Sequence, residues 1–162
     1  MKKIVAIFCA FALMFTLSAC GGSANSGAPK DYAAIIEAAR GAEENESFAI
    51  VSDKDSEMAD SIFAMLGLAP EDVQDFAVSC SFLNVHAYCV AIIQPASGRE
   101  DAVQSAVQNY VDLQTKNMEN YLPDQYEIAK NAVVKTLKSG EVLAVMAPDS
   151  ATLAPALEKA LK

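Results

Sequence analysis

The sequence predicts an α+β domain of two layers, in which helices pack on one face of an antiparallel sheet. Two pairs of short runs rich in β-branched, aromatic and small apolar residues lie at about residues 76–93 and 132–147, and each pair flanks turn residues. Such pairs predict β-hairpins, whose strands run antiparallel. The segments around them place apolar residues at helical spacing, so each predicted helix has one face that the sheet can cover.

The first helix is predicted to begin at Pro29 and to run to about Ala42. Its apolar residues follow the i, i+3, i+4, i+7 spacing of a buried stripe. They are Tyr32, Ile35, Ile36 and Ala39. A short extended segment is expected next, at about residues 48–51.

The second helix is predicted to be capped by Ser52 or Asp53 and to end at Gly67. Its apolar stripe consists of Met58, Ile62, Met65 and Leu66. A methionine stripe can form an adaptable binding face, but methionine fills cores more often. We therefore assign this stripe to the core.

The first hairpin is predicted from FAVSCSFL (76–83) and AYCVAII (87–93), which lie on either side of residues 84–86. Ser97 and Glu100 then have the spacing of a capping box, which predicts a long helix to about Asn120. Its apolar side is formed by Val103, Val107, Tyr110, Val111, Met118 and Tyr121. Residues 122–123 end this helix, and residues 124–130 are expected to add one more helical turn.

The second hairpin is predicted to pair residues 132–138 with residues 141–147 across a turn at Ser139 and Gly140. Glycine accepts a positive φ without steric cost, so this pair is a fair turn signal. A last helix is predicted from about residue 148 to Leu161, with Leu153 and Leu157 on its buried side.

The charge of the chain argues against nucleic acid as a partner. The sequence has 12 basic and 21 acidic residues, and two of the lysines lie in the first three positions. Residues 20–162 therefore hold 10 basic residues and a formal net charge of −11. Such a surface repels phosphate backbones.

Residues 1–19 have the pattern of a signal peptide, with two lysines, an apolar run from Ile4 to Phe15 and small residues at the end. A membrane-spanning helix needs about 20 apolar residues, so an uncleaved anchor is the less favoured alternative. Residues 20–30 contain GGSANSGAP, which is too polar and too small to pack and predicts a flexible tether. Residues 31–162 are expected to form a single domain.

The four residues Leu17-Ser-Ala-Cys20 resemble the lipobox of bacterial lipoproteins. This resemblance implies cleavage before Cys20, a diacylglycerol on its sulfur, and acylation of the new amine by a fatty acid such as palmitate. Two or more acyl chains make a stable membrane anchor, whereas one holds a protein only marginally. An ordinary signal peptide that leaves a free thiol is the alternative.

Cys80 and Cys89 lie on the two strands of the first predicted hairpin, and two registers are open. A two-residue turn at Asn84 and Val85 would place the cysteines opposite each other, within disulfide range. A β-branched residue disfavours the positive φ of that turn, so we favour a four-residue loop at residues 84–87. The cysteines then lie diagonally as two buried free thiols, and a Cys80–Cys89 disulfide is the alternative that export would permit.

No catalytic residue, metal ligand or cofactor is predicted. His86 is the only histidine, and a hairpin position without partner ligands favours a surface loop residue over a metal ligand. His86 and Cys89 are three residues apart on a strand, so they point to opposite faces, which argues against a nucleophile pair. The acids Asp53, Asp55, Glu57 and Asp60 surround a helix start, where they favour the helix dipole, and they lack the pattern of a calcium loop.

Several motifs together resemble the DUF4358 family of bacterial lipoproteins. They are the lipobox, NVHAYCVAII (84–93), Gln114 followed by NYLPDQYEI (120–128), and KSGEVLAVMAPDSA (138–151). The similarity covers about residues 48–162. It implies a Gram-positive bacterium and a lipid anchor on the extracytoplasmic face of the cell membrane. The family is named for an unknown function, so it carries over no catalytic residue.

Three functions are compatible with these features. The favoured hypothesis is a non-catalytic binding or accessory module of the cell envelope, held to the membrane through Cys20, whose partner is an envelope protein or a small ligand. The alternative is an envelope hydrolase that cleaves glycan with two carboxylates. The third is a structural or inhibitor-like domain that acts through a sheet face or an edge strand.

Overall fold

The computed structural model describes residues 30–162 and contains there one sheet of four antiparallel strands. The strands are β1 (Val73–Cys80), β2 (Cys89–Pro95), β3 (Val133–Thr136) and β4 (Val142–Met146). Their order in the sheet is β1–β2–β4–β3, so the two hairpins lie side by side and are joined through β2 and β4. The predicted α+β class and both antiparallel hairpins are confirmed.

Six α-helices accompany the sheet in this part of the chain. They are α1 (Tyr32–Ala39), α2 (Ala42–Ser47), α3 (Glu57–Leu66), α4 (Glu100–Met118), α5 (Pro123–Lys130) and α6 (Ser150–Ala160). The short helix α2 was not predicted, because its sequence AEENES has no apolar residue larger than alanine and therefore no stripe. The predicted extended segment is present as a single bridge in which Val51 pairs with Val78 at the edge of β1.

Helices cover both faces of the sheet, so the prediction that they pack on one face in two layers is wrong. Helices α3, α4 and α5 pack on the face that carries Phe76, Ala91 and Ala144. Helices α1 and α6 pack on the opposite face, which carries Ile92 and Val145. Strands β2 and β4 are apolar on both sides and almost wholly buried, so each face needs its own helical cover.

The helix starts differ from the predicted caps. Asp31, rather than Pro29, caps α1, and its carboxylate accepts a hydrogen bond from the Ala34 N–H at 2.9 Å. Ser56, rather than Ser52 or Asp53, caps α3, because its hydroxyl reaches the Ala59 N–H. The end of α3 at Gly67 is confirmed, since this glycine adopts a left-handed conformation with φ of 69°.

Helix α4 buries most of its predicted apolar stripe, but its predicted cap and the last stripe residue differ from the structure. Helix α4 begins after Arg99 without a side-chain cap, so the predicted capping box at Ser97 and Glu100 does not form. Its stripe is buried from Val103 to Met118. Tyr121 follows the last helical turn and is 85% exposed, so its assignment to the buried side is wrong.

Polar contacts close one end of the sheet, which we call the closed end and define by Lys30, Tyr32, Gln94 and Glu141. The Nζ of Lys30 donates to Glu141 Oε1 and to the carbonyl oxygen of Leu161, both at 2.7 Å. The Tyr32 hydroxyl lies 3.4 Å from Glu141 Oε1 and 3.5 Å from Gln94 Oε1. Glu141 is only 1% exposed, so an internal cation neutralises a buried carboxylate here.

The predicted signal peptide, the lipidated Cys20 and most of the tether lie outside the described residues. They therefore remain predictions. Within residues 30–162, no helix has the length and apolar character that a membrane span requires.

Candidate binding cleft

The end of the sheet opposite the closed end carries a cleft of about 790 Å³. Its centre is the connection 81–88 between β1 and β2, and we call this end of the sheet, with the cleft, the open end. Helix α2, the start of α3, helix α5 and the turn before α6 complete its walls. A cleft of this volume is in the range that holds small-molecule ligands.

Exposed apolar side chains surround the cleft. Phe82 is 53% exposed and Leu83 is 59% exposed, and both belong to the connection 81–88. Met58 at the start of α3 is 43% exposed and lines the cleft, so its predicted place in the core is wrong, although Ile62 and Leu66 of the same stripe are buried. Large apolar groups exposed together at one site indicate a binding surface.

A stack of two aromatic rings forms one wall. The rings of Phe48 and Tyr88 lie 3.8 Å apart between centroids and are nearly parallel, at 10°. Phe48 comes directly after α2, and Tyr88 comes directly before β2, so residues 40 positions apart in the chain meet at this wall. Both side chains line the cleft.

Arg40 lies behind this wall and holds it in place. It follows α1 directly and is 8% exposed. Its guanidinium donates to Ser79 Oγ at 2.7 Å, to the Tyr88 hydroxyl at 3.1 Å and to the Phe48 carbonyl oxygen at 3.1 Å. A fourth bond, from Nε to Asn45 Oδ1 at 2.9 Å, ties the same side chain to α2. One planar fork of donors thus joins a helix, a strand and both members of the aromatic stack.

The Tyr88 hydroxyl stays protonated across the physiological pH range. Burial raises the pKa of Tyr88 to about 12, the Arg40 guanidinium opposes this shift, and the nearby Glu44 carboxylate adds to it. Glu44 lines the cleft, and its Oε2 accepts a hydrogen bond from the Gly41 N–H at 3.2 Å. Its Oε1 is buried and has no hydrogen-bond partner among residues 30–162.

Cys80 and Cys89 lie directly opposite each other, so the favoured diagonal register with residues 84–87 as the loop is wrong. The strands pair Cys80 with Cys89, and the connection between them contains a turn at Asn84 and Val85, in which the His86 N–H donates to the Leu83 carbonyl oxygen at 3.1 Å without any positive φ. The structure joins the two cysteine sulfurs in a disulfide, with the Cα atoms 4.1 Å apart. From the sequence, this register is the less favoured alternative, because the tight turn assumed at Asn84 and Val85 requires a positive φ at a β-branched residue. Two further hydrogen bonds hold the connection. The Ser81 N–H donates to the Tyr88 carbonyl oxygen, and the Ala87 N–H donates to Gln125 Oε1 of α5 at 2.8 Å.

The other residues that the sequence singled out lie apart from one another. His86 belongs to the exposed part of the connection 81–88 and lines the cleft. Asp53 turns its carboxylate back to the Asp55 N–H at 2.9 Å, as part of the entry to α3. Across residues 30–162 there is no group of three or more histidine, cysteine or acidic side chains arranged for a metal.

Sequence reasoning missed the residues that build the cleft. Arg40 had no signal, because an arginine after a helix is ordinarily exposed. The sequence pattern placed Phe82 and Leu83 in the first strand of the hairpin, but β1 ends at Cys80 and both residues lie in the connection 81–88. The acids Glu43, Glu44 and Asp149 come from two distant segments, and only the fold brings them to one cleft.

These features define a three-layer α+β domain with an antiparallel sheet and an apolar cleft at one end of it. The chain belongs to the family described as Domain of unknown function (DUF4358), which it matches over residues 51–147. That range contains all four strands and helices α3 to α5, whereas Arg40, the acids of α2 and Asp149 lie outside it. No curated protein and no solved structure matches the chain.

Proposed function

We propose that the protein is a lipoprotein, anchored through Cys20 to the extracytoplasmic face of a Gram-positive cell membrane, and that it is a non-catalytic binding module of the cell envelope. The observation that carries the binding role is the cleft at the open end, with Phe82, Leu83 and Met58 exposed beside the Phe48–Tyr88 stack. Burying such side chains against a ligand is favourable by about 25 cal/mol per Å² of apolar surface.

The place where the proposed tether joins the domain supports this role. Lys30, the last residue of the proposed tether, lies at the closed end. Helix α1 then leads along the sheet to Arg40 at the open end. A membrane anchor on the tether would therefore hold the domain by the end opposite the cleft and leave the cleft accessible from the envelope. Export would also suit the disulfide between Cys80 and Cys89.

The anchor is tested by growing the producing cells with a fatty-acid probe. The proposal expects label on the wild-type protein and none on Cys20→Ala, which should be released from the membrane fraction. Label that persists in Cys20→Ala would contradict the lipobox assignment.

The cleft is tested by cross-linking the anchored protein in its own membrane and identifying what is attached. Phe82→Ser removes an exposed aromatic ring from the cleft, and Tyr121→Ser removes one that is 85% exposed and does not line it. The proposal expects the cross-linked ligand or partner to be lost from Phe82→Ser and kept by Tyr121→Ser. Equal retention by both variants would contradict the cleft as the binding surface.

A glycan hydrolase is the second candidate, and one observation favours it. Three carboxylates, those of Glu43, Glu44 and Asp149, line the same cleft, and glycoside hydrolysis uses a pair of them. This candidate expects release of soluble fragments from labelled cell-wall glycan, and loss of that release in Glu44→Gln and Asp149→Asn. Wild-type protein that releases nothing would contradict it and leave the binding role in place.

A further inference from the structure

The walls of the cleft present aromatic faces and a thioether to whatever enters. Phe48, Phe82 and Met58 line it with accessible surface, whereas Tyr88, which is also part of the lining, is only 3% exposed. Phe48 and Tyr88 stack on each other, and the ring of Phe82 is 53% exposed on the connection 81–88. The face of an aromatic ring carries negative electrostatic potential and attracts cations within about 6 Å.

The formal charges of the cleft have one sign. Glu43 and Glu44 from α2 line it on one side, and Asp149 lines it beside the start of α6. Among the lining residues that the structure describes, there is no lysine or arginine. Arg40 lies behind the wall, where it is 8% exposed, and its four hydrogen-bond acceptors are neutral groups. Its single positive charge is therefore not cancelled, but the three carboxylates of the lining outnumber it.

The net charge of residues 20–162, which includes these three carboxylates, acts in the same direction. Residues 20–162 carry a formal net charge of −11. An acidic surface raises the local concentration of cations near a cleft and lowers that of anions. A carboxylate ligand would therefore be repelled both by the lining and by the surrounding field.

We propose that the cleft binds a small organic cation, an ammonium group carried on an apolar or aromatic body. The apolar body would lie against Phe82 and Met58, and the ammonium group would lie between an aromatic face and the carboxylates of the lining. The volume of about 790 Å³ favours a small molecule over a protein segment. This inference rests on the proposed binding role and adds to it the chemical class of the ligand.

The test compares three probes of one shape and different charge, titrated by calorimetry into the mature protein at pH 7. They are 2-phenylethylammonium, neutral 2-phenylethanol and anionic phenylacetate. The inference expects the ammonium probe to bind at least about tenfold more tightly than the alcohol, a difference of about 1.4 kcal/mol, and phenylacetate to bind more weakly than both. The preference should shrink as salt is added, because salt screens partly exposed charges.

A matched pair of variants locates the effect. Glu44→Gln removes one charge from the cleft and keeps an oxygen that can accept from Gly41, so the start of α2 is preserved. Glu46→Gln removes one charge from the same helix at an exposed position outside the cleft. The ammonium probe should lose about fivefold to tenfold in affinity in Glu44→Gln and less than twofold in Glu46→Gln.

Three results would overturn the inference. They are equal affinity for the ammonium and the alcohol, equal loss in the two glutamine variants, and no heat of binding from the ammonium probe at millimolar concentration. Equal affinity would overturn only the charge preference, since the cleft would still bind an apolar body. The proposed binding role is decided separately, by cross-linking with Phe82→Ser and Tyr121→Ser.

Discussion

The two ends of the sheet differ in how they use their polar groups. At the closed end, Lys30 and Tyr32 meet Glu141 directly, and the contacts join residues more than 100 positions apart. At the open end, Arg40 is buried and donates to Ser79 and Tyr88, while apolar side chains of the cleft are exposed to solvent. The closed end therefore pairs its buried carboxylate with an internal cation, whereas the carboxylates that line the cleft have no lysine or arginine among the described lining residues and lie beside exposed apolar surface. We therefore place the proposed binding role at the open end, which also contains the buried Arg40 and the disulfide that contribute to stability.

The largest effect is expected from Arg40→Ala, which tests whether the open end depends on one buried side chain. The variant loses four hydrogen bonds and separates α2 from β1, so the free energy of unfolding should fall by about 3 kcal/mol in urea denaturation. The control is Arg99→Ala, whose guanidinium pairs with Asp72 at the surface and should leave the stability unchanged. An Arg40→Ala protein as stable as the wild type would contradict this prediction and would show that the Phe48–Tyr88 stack does not depend on Arg40.

The next effect concerns the disulfide at the open end. Reduction should add two hydrogens to the intact mass of the protein and lower the free energy of unfolding by about 2–3 kcal/mol, because the bond closes a short loop between residues nine positions apart. The double variant Cys80→Ala/Cys89→Ala should respond to the reductant with neither change. An unchanged mass after reduction of the wild type would show two free thiols instead.

A smaller effect is expected from Glu141→Gln at the closed end. The variant breaks the ion pair with Lys30, and the free energy of unfolding should fall by about 1–2 kcal/mol at pH 7, with the affinity for the ammonium probe unchanged. A loss of probe affinity would contradict the placement of the binding site at the open end alone.

Glu141→Gln should also change how the free energy of unfolding depends on pH at acidic pH. Burial by itself would raise the pKa of Glu141, but hydrogen bonds from Lys30 and Ser139 outweigh it, so the pKa lies below its ordinary value of 4.5. A carboxylate with a lowered pKa contributes stability above pH 4.5, and this contribution is lost as the pH falls through the lowered value. Unfolding measured from pH 7 to pH 3 should show a steeper loss in the wild type than in Glu141→Gln.

The smallest effect is expected on the alkaline side, where both ends contribute. Burial raises the pKa of Tyr88 to about 12, and burial together with Glu141 raises the pKa of Tyr32 further. A phenol with a raised pKa contributes stability below its unfolded pKa of 10, and this contribution is lost as the pH rises. The free energy of unfolding should therefore fall above pH 10, and Tyr32→Phe and Tyr88→Phe should each make that fall shallower. Parallel profiles for all three proteins would contradict this assignment.

Local patterns in the sequence were sufficient for most of the elements. Helical spacing correctly marked Ile36 in α1, Ile62 in α3 and Val107 in α4, because a stripe that must be buried repeats with the turn of the helix. Ser139 and Gly140 correctly marked the second hairpin, since Gly140 has a φ of 101°. Helix α2 was missed because it buries no stripe of its own.

The sequence contained a pattern that indicates three layers, and the prediction did not use it. Strand β2 reads CVAIIQP and strand β4 reads VLAVM, and both are continuous apolar runs instead of alternating ones. Continuous runs are typical of strands that are covered on both faces. The helices were nevertheless expected on one face, because antiparallel hairpins commonly leave the other face to solvent.

The sequence by itself determined the α+β class, the two hairpins and the family, because periodicity and turn chemistry act between residues close together in the chain. The tertiary structure alone decided the burial of Arg40 and the cleft, and it selected one of the two registers that the sequence left open for Cys80 and Cys89. These depend on contacts such as Arg40 with Tyr88 and Lys30 with Glu141, which join residues 48 and 111 positions apart. Such contacts form only once the sheet has brought distant segments together, and no local pattern records them.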